Sequence, residues 1–136
     1  MKCPESIYAA KKIILPYVVI ELFSNNIMRF EFTRNLNVNM APTLERMEVC
    51  KKLSSDKLYL SLKIIKHTFK IDDDVTDFFA SNVRKGMMTA ETVFISSATL
   101  KMFANFYFRV KKPLTPGRVF ETESEALNWL LTNNEH

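Results

Sequence analysis

Between positions 27 and 33 apolar and polar residues alternate with a period near two, the spacing of a half-buried strand. Tyr17–Phe23 (YVVIELF) and Ile27–Thr33 (IMRFEFT) are rich in β-branched and aromatic side chains. In the second segment Met28, Phe30 and Phe32 set one face against Ile27, Arg29 and Glu31 on the other. Ser24, Asn25 and Asn26 separate the two runs. Asparagine tolerates left-handed dihedrals better than most residues that carry a Cβ, so a hairpin is expected. The period then lengthens. Thr43–Leu53 (TLERMEVCKKL) reads as a helix with Pro42 acceptable in its first turn, although its apolar stripe is not clean. Leu58–Ile65 (LYLSLKII) returns to strand spacing, with Leu58, Leu60, Leu62 and Ile64 on one face. Asp74–Lys85 carries Val75, Phe78, Phe79 and Val83 at helical spacing. Asp72, Asp73 and Asp74 stand at its start, where carboxylates complement the helix dipole and cap free amides.

The last third repeats the alternation. Glu91–Ser96 is a short strand, and Ser97 is a natural N-cap for a helix over Ala98–Val110. Gly117–Glu121 is the final strand. Thr122-Glu123-Ser124-Glu125 is a capping box placed just before the stripe Ala126, Leu127, Leu130 and Leu131. The order is β-β-α-β-α-β-α-β-α. It predicts an α/β fold, with a mixed, largely parallel sheet of about five strands and four helices. No repeat, linker or low-complexity segment divides the chain, so residues 1–136 are expected to form one domain.

Composition removes several function classes. Gly86 and Gly117 are the only glycines, which excludes the glycine-rich phosphate cradles of dinucleotide and P-loop sites; no cofactor is expected. The formal charge of +4 comes from interspersed residues, and basic residues never run beyond two in a row. With no recognisable motif beside that charge, a nucleic-acid partner is not expected. Cys3 and Cys50 are the only cysteines, one near the terminus and one in an expected helix, so a reducing compartment fits better than a disulfide. The apolar run Ile13–Ile20 is short, broken by Pro16 and without a cleavage pattern. Nothing approaches the roughly 20 apolar residues that span a bilayer. A cytoplasmic location without a membrane span is the expectation.

The segment Glu91–Leu131, ETVFISSATLKMFANFYFRVKKPLTPGRVFETESEALNWLL, combines an apolar strand, an amphipathic helix, a basic-proline loop, a strand and an Ala-x-x-Trp-Leu helix. It resembles the small bacterial SpoIIAA-like proteins of the STAS superfamily, and the likeness extends more weakly to the N-terminal hairpin. The resemblance implies a STAS-type domain that regulates or binds other proteins without catalysis. Regulatory members of that superfamily carry an Asp-Ser-(Ser/Thr)-Gly segment between the third strand and second helix, whose serine is phosphorylated by a partner kinase. Here the stretch is His67–Thr76 (HTFKIDDDVT), with neither serine nor glycine, so the resemblance does not carry that switch.

Individual residues add little chemistry. His67 is the only histidine away from the C-terminus and falls beyond the end of a parallel strand, where open α/β sheets bind ligands. Lys66 and Lys70 flank it, and no metal-ligating residue stands at ligand spacing, so an ordinary loop histidine is the simpler reading. Ser96 and Ser97 lie at the same edge without the glycine elbow of a nucleophile, which leaves capping as the simpler role for Ser97. Asp72–Asp74 lack the spacing of a calcium loop, and no metal site is expected. Arg109, Lys111, Lys112 and Arg118 bracket the loop KKPLTPGR, where cations complement a helix C-terminus or meet an acidic partner. No nucleophile, base and stabiliser can be assigned together, so an enzyme is not expected.

Two binding readings remain. On the helix Ala98–Val110, Leu100, Phe103, Ala104, Phe106, Tyr107 and Val110 project onto one broad face, with Met102 and Phe108 on its flanks. Either neighbouring helices cover those flanks, or Met102, Phe103, Phe106 and Phe108 form an interface with another protein or a second copy. The alternative is a small-ligand or lipid pocket at the strand ends, near His67, Ser96, Ser97 and Glu121.

Overall fold

The computed structural model describes residues 9–67, 69–80, 87–110 and 117–132. Three strands open the chain: β1 (Ala9–Ile14), β2 (Val18–Phe23) and β3 (Ile27–Phe32). They pair as an antiparallel meander. Asn26 takes the left-handed conformation (φ 69°) that the β2–β3 turn requires. Its amide donates to the Phe23 carbonyl at 2.9 Å, and its side-chain amide donates to the Leu58 carbonyl. Strand β1 was not foreseen. Ala and Lys fill its first four positions, an unpromising β composition, but lysines suit an exposed sheet edge because they discourage pairing with other chains. Pro16 and Tyr17 make the turn into β2, closed by the Leu15 amide on the Val18 carbonyl at 2.9 Å.

The chain continues through β4 (Leu36–Val38), α1 (Met40–Leu53), β5 (Tyr59–Ile65), β6 (Phe69–Ile71) and α2 (Asp73–Ala80). It finishes with β7 (Met88–Ile95), α3 (Ala98–Val110), β8 (Gly117–Phe120) and α4 (Glu123–Thr132). The main sheet has six strands in the order β1-β2-β3-β5-β7-β8. All pairings from β3 to β8 are parallel, so the fold is a mixed, largely parallel α/β sheet with four helices, as expected. The short strands β4 and β6 form a separate parallel pair. The expected helix end, residues 81–85, lies outside the described residues.

Spatial order follows chain order without reversal. Right-handed crossovers between successive parallel strands then put every intervening helix on the same face of the sheet. That is the arrangement found. Helices α1 and α3 pack through Cys50, Leu53, Ala104 and Phe108 against Val18, Ile20, Phe30, Phe32 and Val93. Helix α2 reaches the same face through Phe79, whose ring lies 5.0 Å from the Lys63 ammonium. Among the described residues only α4 covers the opposite face, with Ala126, Leu127 and Leu130 on Ile27, Leu60, Leu62 and Ile64. Strand β5 is therefore buried on both sides, as parallel central strands are. Leu58 departs from the expected stripe: it precedes the strand and is exposed.

Helix α4 begins where its capping box predicts. The Glu125 amide donates to the Thr122 hydroxyl oxygen at 3.1 Å, and that hydroxyl donates to the Glu125 carboxylate at 3.0 Å. Trp129 sets its ring 6.1 Å from Phe120, anchoring the helix to the last strand.

Candidate functional site

The parallel register places Ile65 beside Ile95 and Phe94 beside Phe120, so His67, Ser96, Ser97 and Glu121 all emerge from one end of the sheet. Neither of the two concavities among the described residues is lined by them. His67 and Ser96 are exposed, and the Ser96 amide donates to the Ile65 carbonyl at 3.1 Å. Ser97 stands at the start of α3, its carbonyl accepting the Lys101 amide at 2.9 Å. Glu121 is exposed and pairs with the Lys101 ammonium at 3.2 Å. The ligand crevice of open α/β sheets forms where strand order reverses, and here it never reverses. The chain beyond β3 and β5 instead runs on into the β4–β6 pair, where Val38, Val75 and Phe79 form a small cluster of their own. Asp72 lies in that cover: its carbonyl accepts the Val75 and Thr76 amides at 3.0 and 3.2 Å, and Asp73 and Asp74 fill the first turn of α2.

Helix α3 is rotated relative to the projected face. Phe106, on the projected broad face and a candidate interface residue, is 53% exposed, and Met102 on its flank is 74% exposed. Ala98, Asn105 and Arg109 share that outer side. Phe108, expected on a wet flank, is half-buried and packs into the core. The reason is Gly117: a Cβ there would lie 2.1 Å from the Phe108 ring, so the missing side chain makes room for it. The side chain of Phe103 lies outside the described residues, as do Lys111 and Lys112. Arg118 stacks on the Phe120 ring at 5.4 Å.

A polar cluster that sequence reasoning missed lies under α1. The buried stripe of this helix is Thr43, Arg46, Cys50 and Leu53, at helical spacing but mostly not apolar. The uneven stripe in the sequence was its signal. Thr43 satisfies its hydroxyl on the Asn39 carbonyl at 2.8 Å. Arg46 is only 5% exposed and lies over the Phe32 ring at 5.5 Å. Among the described residues no carboxylate lies within ion-pair distance of it. Below it, Lys63 pairs with Glu91 at 2.7 Å, both nearly buried. Arg46, Lys63, Cys50 and Tyr59 line a shallow, solvent-open concavity of about 20 Å3, room for about one water molecule, with walls of Phe30, Met47, Phe79, Met87 and Met88.

The opposite face holds a different arrangement. Arg29 reaches Glu31 at 2.9 Å, Glu123 at 3.2 Å and Glu21 at 3.6 Å, tying β2, β3 and the start of α4 together. Burial pulls its pKa down, but Glu123 and Glu31 outweigh burial and leave it above the ordinary guanidinium value.

The described residues define a small α/β fold with three helices on one sheet face and one on the other. The chain belongs to a family described as a domain of unknown function (DUF7793), which matches residues 21–134. No curated protein and no solved structure matches it. No helix among the described residues is long and apolar enough to cross a membrane.

Proposed function

We propose that the chain is a STAS-type, non-catalytic interaction module of the cytoplasm, and that it acts by pairing α3 with α3 of a second copy. One observation carries this reading: Met102 and Phe106 stand one turn apart on the outer side of α3 and are mostly exposed. Side chains four apart on a helix are neighbours, so the two form a single apolar step. A two-fold axis across it brings Met102 of one copy against Phe106 of the other, a self-complementary contact. Methionine and aromatic side chains are enriched at such interfaces. The succession strand, helix, strand, helix over Glu91–Leu131 supports the STAS-type assignment. Because His67–Thr76 holds no serine, the proposal includes no phosphorylation step at that stretch.

Light scattering after size exclusion tests it. The wild-type chain is expected to shift toward twice the monomer mass as concentration rises, and the Met102→Glu, Phe106→Glu double variant to stay monomeric while keeping its circular dichroism. Phe108 is unsuitable for this test, since its substitution disturbs the core. A wild-type chain that remains monomeric at the highest attainable concentration overturns the reading.

A further inference from the structure

We infer that the second copy lies antiparallel on α3 and that a charge pair selects it, Arg109 of each copy with Glu121 of the other. This rests on the α3 pairing proposed above and adds what fixes the sense and register of that pairing. Helical geometry comes first. The outer side of α3 carries Ala98, Met102, Asn105, Phe106 and Arg109, all exposed. A two-fold axis that sets Met102 against Phe106 of the other copy passes level with Ala104, midway between them in the chain. The same axis carries Arg109, near the C-terminal end of one α3, to the turn Ala98–Lys101 of the other.

Glu121 stands at that turn. It follows β8, is 76% exposed, and holds the Lys101 ammonium at 3.2 Å through Oε1 alone. Its second oxygen has no hydrogen bond among the described residues. With about 100° between successive residues, Arg109 and Lys101 fall on the same side of the step made by Met102 and Phe106. An axis perpendicular to both helices keeps that flank on one side of the pair, so the arriving guanidinium meets the flank that bears Glu121. Ala98 adds only a methyl group there. Within its own chain Arg109 has no carboxylate within ion-pair distance among the described residues. The helix dipole favours a cation at this position but does not itself engage the N–H fork that suits a carboxylate. A parallel second copy would bring Arg109 against Arg109, so charge favours the antiparallel sense.

An exposed ion pair contributes little by itself, but two-fold symmetry forms this one twice, and reversing one charge turns both contacts repulsive. Dimer dissociation constants from analytical ultracentrifugation test it, on single variants and on their mixture. Arg109→Glu places two carboxylates together at both ends of the pair, and Glu121→Lys places two cations together. Each is expected to weaken self-association about tenfold, with circular dichroism unchanged because both positions are exposed. Mixed, the two variants are complementary at both ends, and a heterodimer as tight as the wild-type dimer is expected. Added salt is expected to weaken the wild-type dimer and to tighten that of either variant. If the wild type dimerises but the variants associate as tightly, or their mixture gains nothing over either alone, the charge pair is overturned and the α3 reading stands. A wild-type chain that stays monomeric overturns both.

Discussion

Two arginines on opposite faces of one sheet are held in opposite ways. Arg29 sits among three carboxylates, from Glu21, Glu31 and Glu123, and its charge is more than matched. Arg46 is the more deeply buried residue, and it lies over a phenylalanine ring beside a shallow concavity. The first is a structural clamp: it fastens the start of α4 to the meander on the face that only one helix covers. The second adds nothing of that kind, because an unmatched buried charge works against folding. A residue that weakens the fold where a methionine would fit invites a reason outside folding. The difference between the two separates a charge matched by carboxylates from one with no carboxylate beside it among the described residues.

Four substitutions break or sharpen that contrast. The largest effect is expected from Glu91→Gln, which leaves Lys63 and Arg46 as two cations beside one shallow concavity. It should cost about 3–4 kcal/mol in urea unfolding, and adding Arg46→Met should restore part of the loss. Next is Arg29→Met, which leaves three carboxylates facing one another. A loss of about 2–3 kcal/mol is expected from thermal melts, reduced at high salt because the site is only partly buried. Thr122→Ala removes the cap one residue before Glu123. About 1 kcal/mol should be lost, and faster amide exchange at Glu125 would show that the Arg29 clamp depends on an ordered helix start. The smallest change carries the opposite sign: Arg46→Met alone should raise stability by about 0.5–1 kcal/mol. A destabilised Arg46→Met variant would place this arginine with Arg29 as a structural group and remove the contrast.

Much of the fold could be read from residue patterns because the relevant signals are local. The Asn25-Asn26 turn, the period-two run Ile27–Phe32, and the Thr122–Glu125 box each need only a few neighbouring residues. Strand β1 was hidden because its partner, not its composition, makes it a strand: Ile13 faces Ile20 across the pairing. The rotation of α3 was also beyond reach. Gly117, on the following strand, decides which way Phe108 turns, and so leaves Phe106 outside. The polar cluster was the least legible. Lys63 and Glu91 lie far apart in sequence and meet only because β5 and β7 are adjacent, while Arg46 joins them from a helix whose stripe looked merely irregular.

The unbroken strand order also bears on how the molecule is made. From β1 onward, each new strand of the main sheet docks beside the one synthesised just before it, on a growing edge already in place. No strand of the main sheet must insert between two that have already paired, so each closure spans only the segment that links neighbouring strands. Such a sheet can be assembled in the direction of translation, with the meander as the template and α4 closing the second face last.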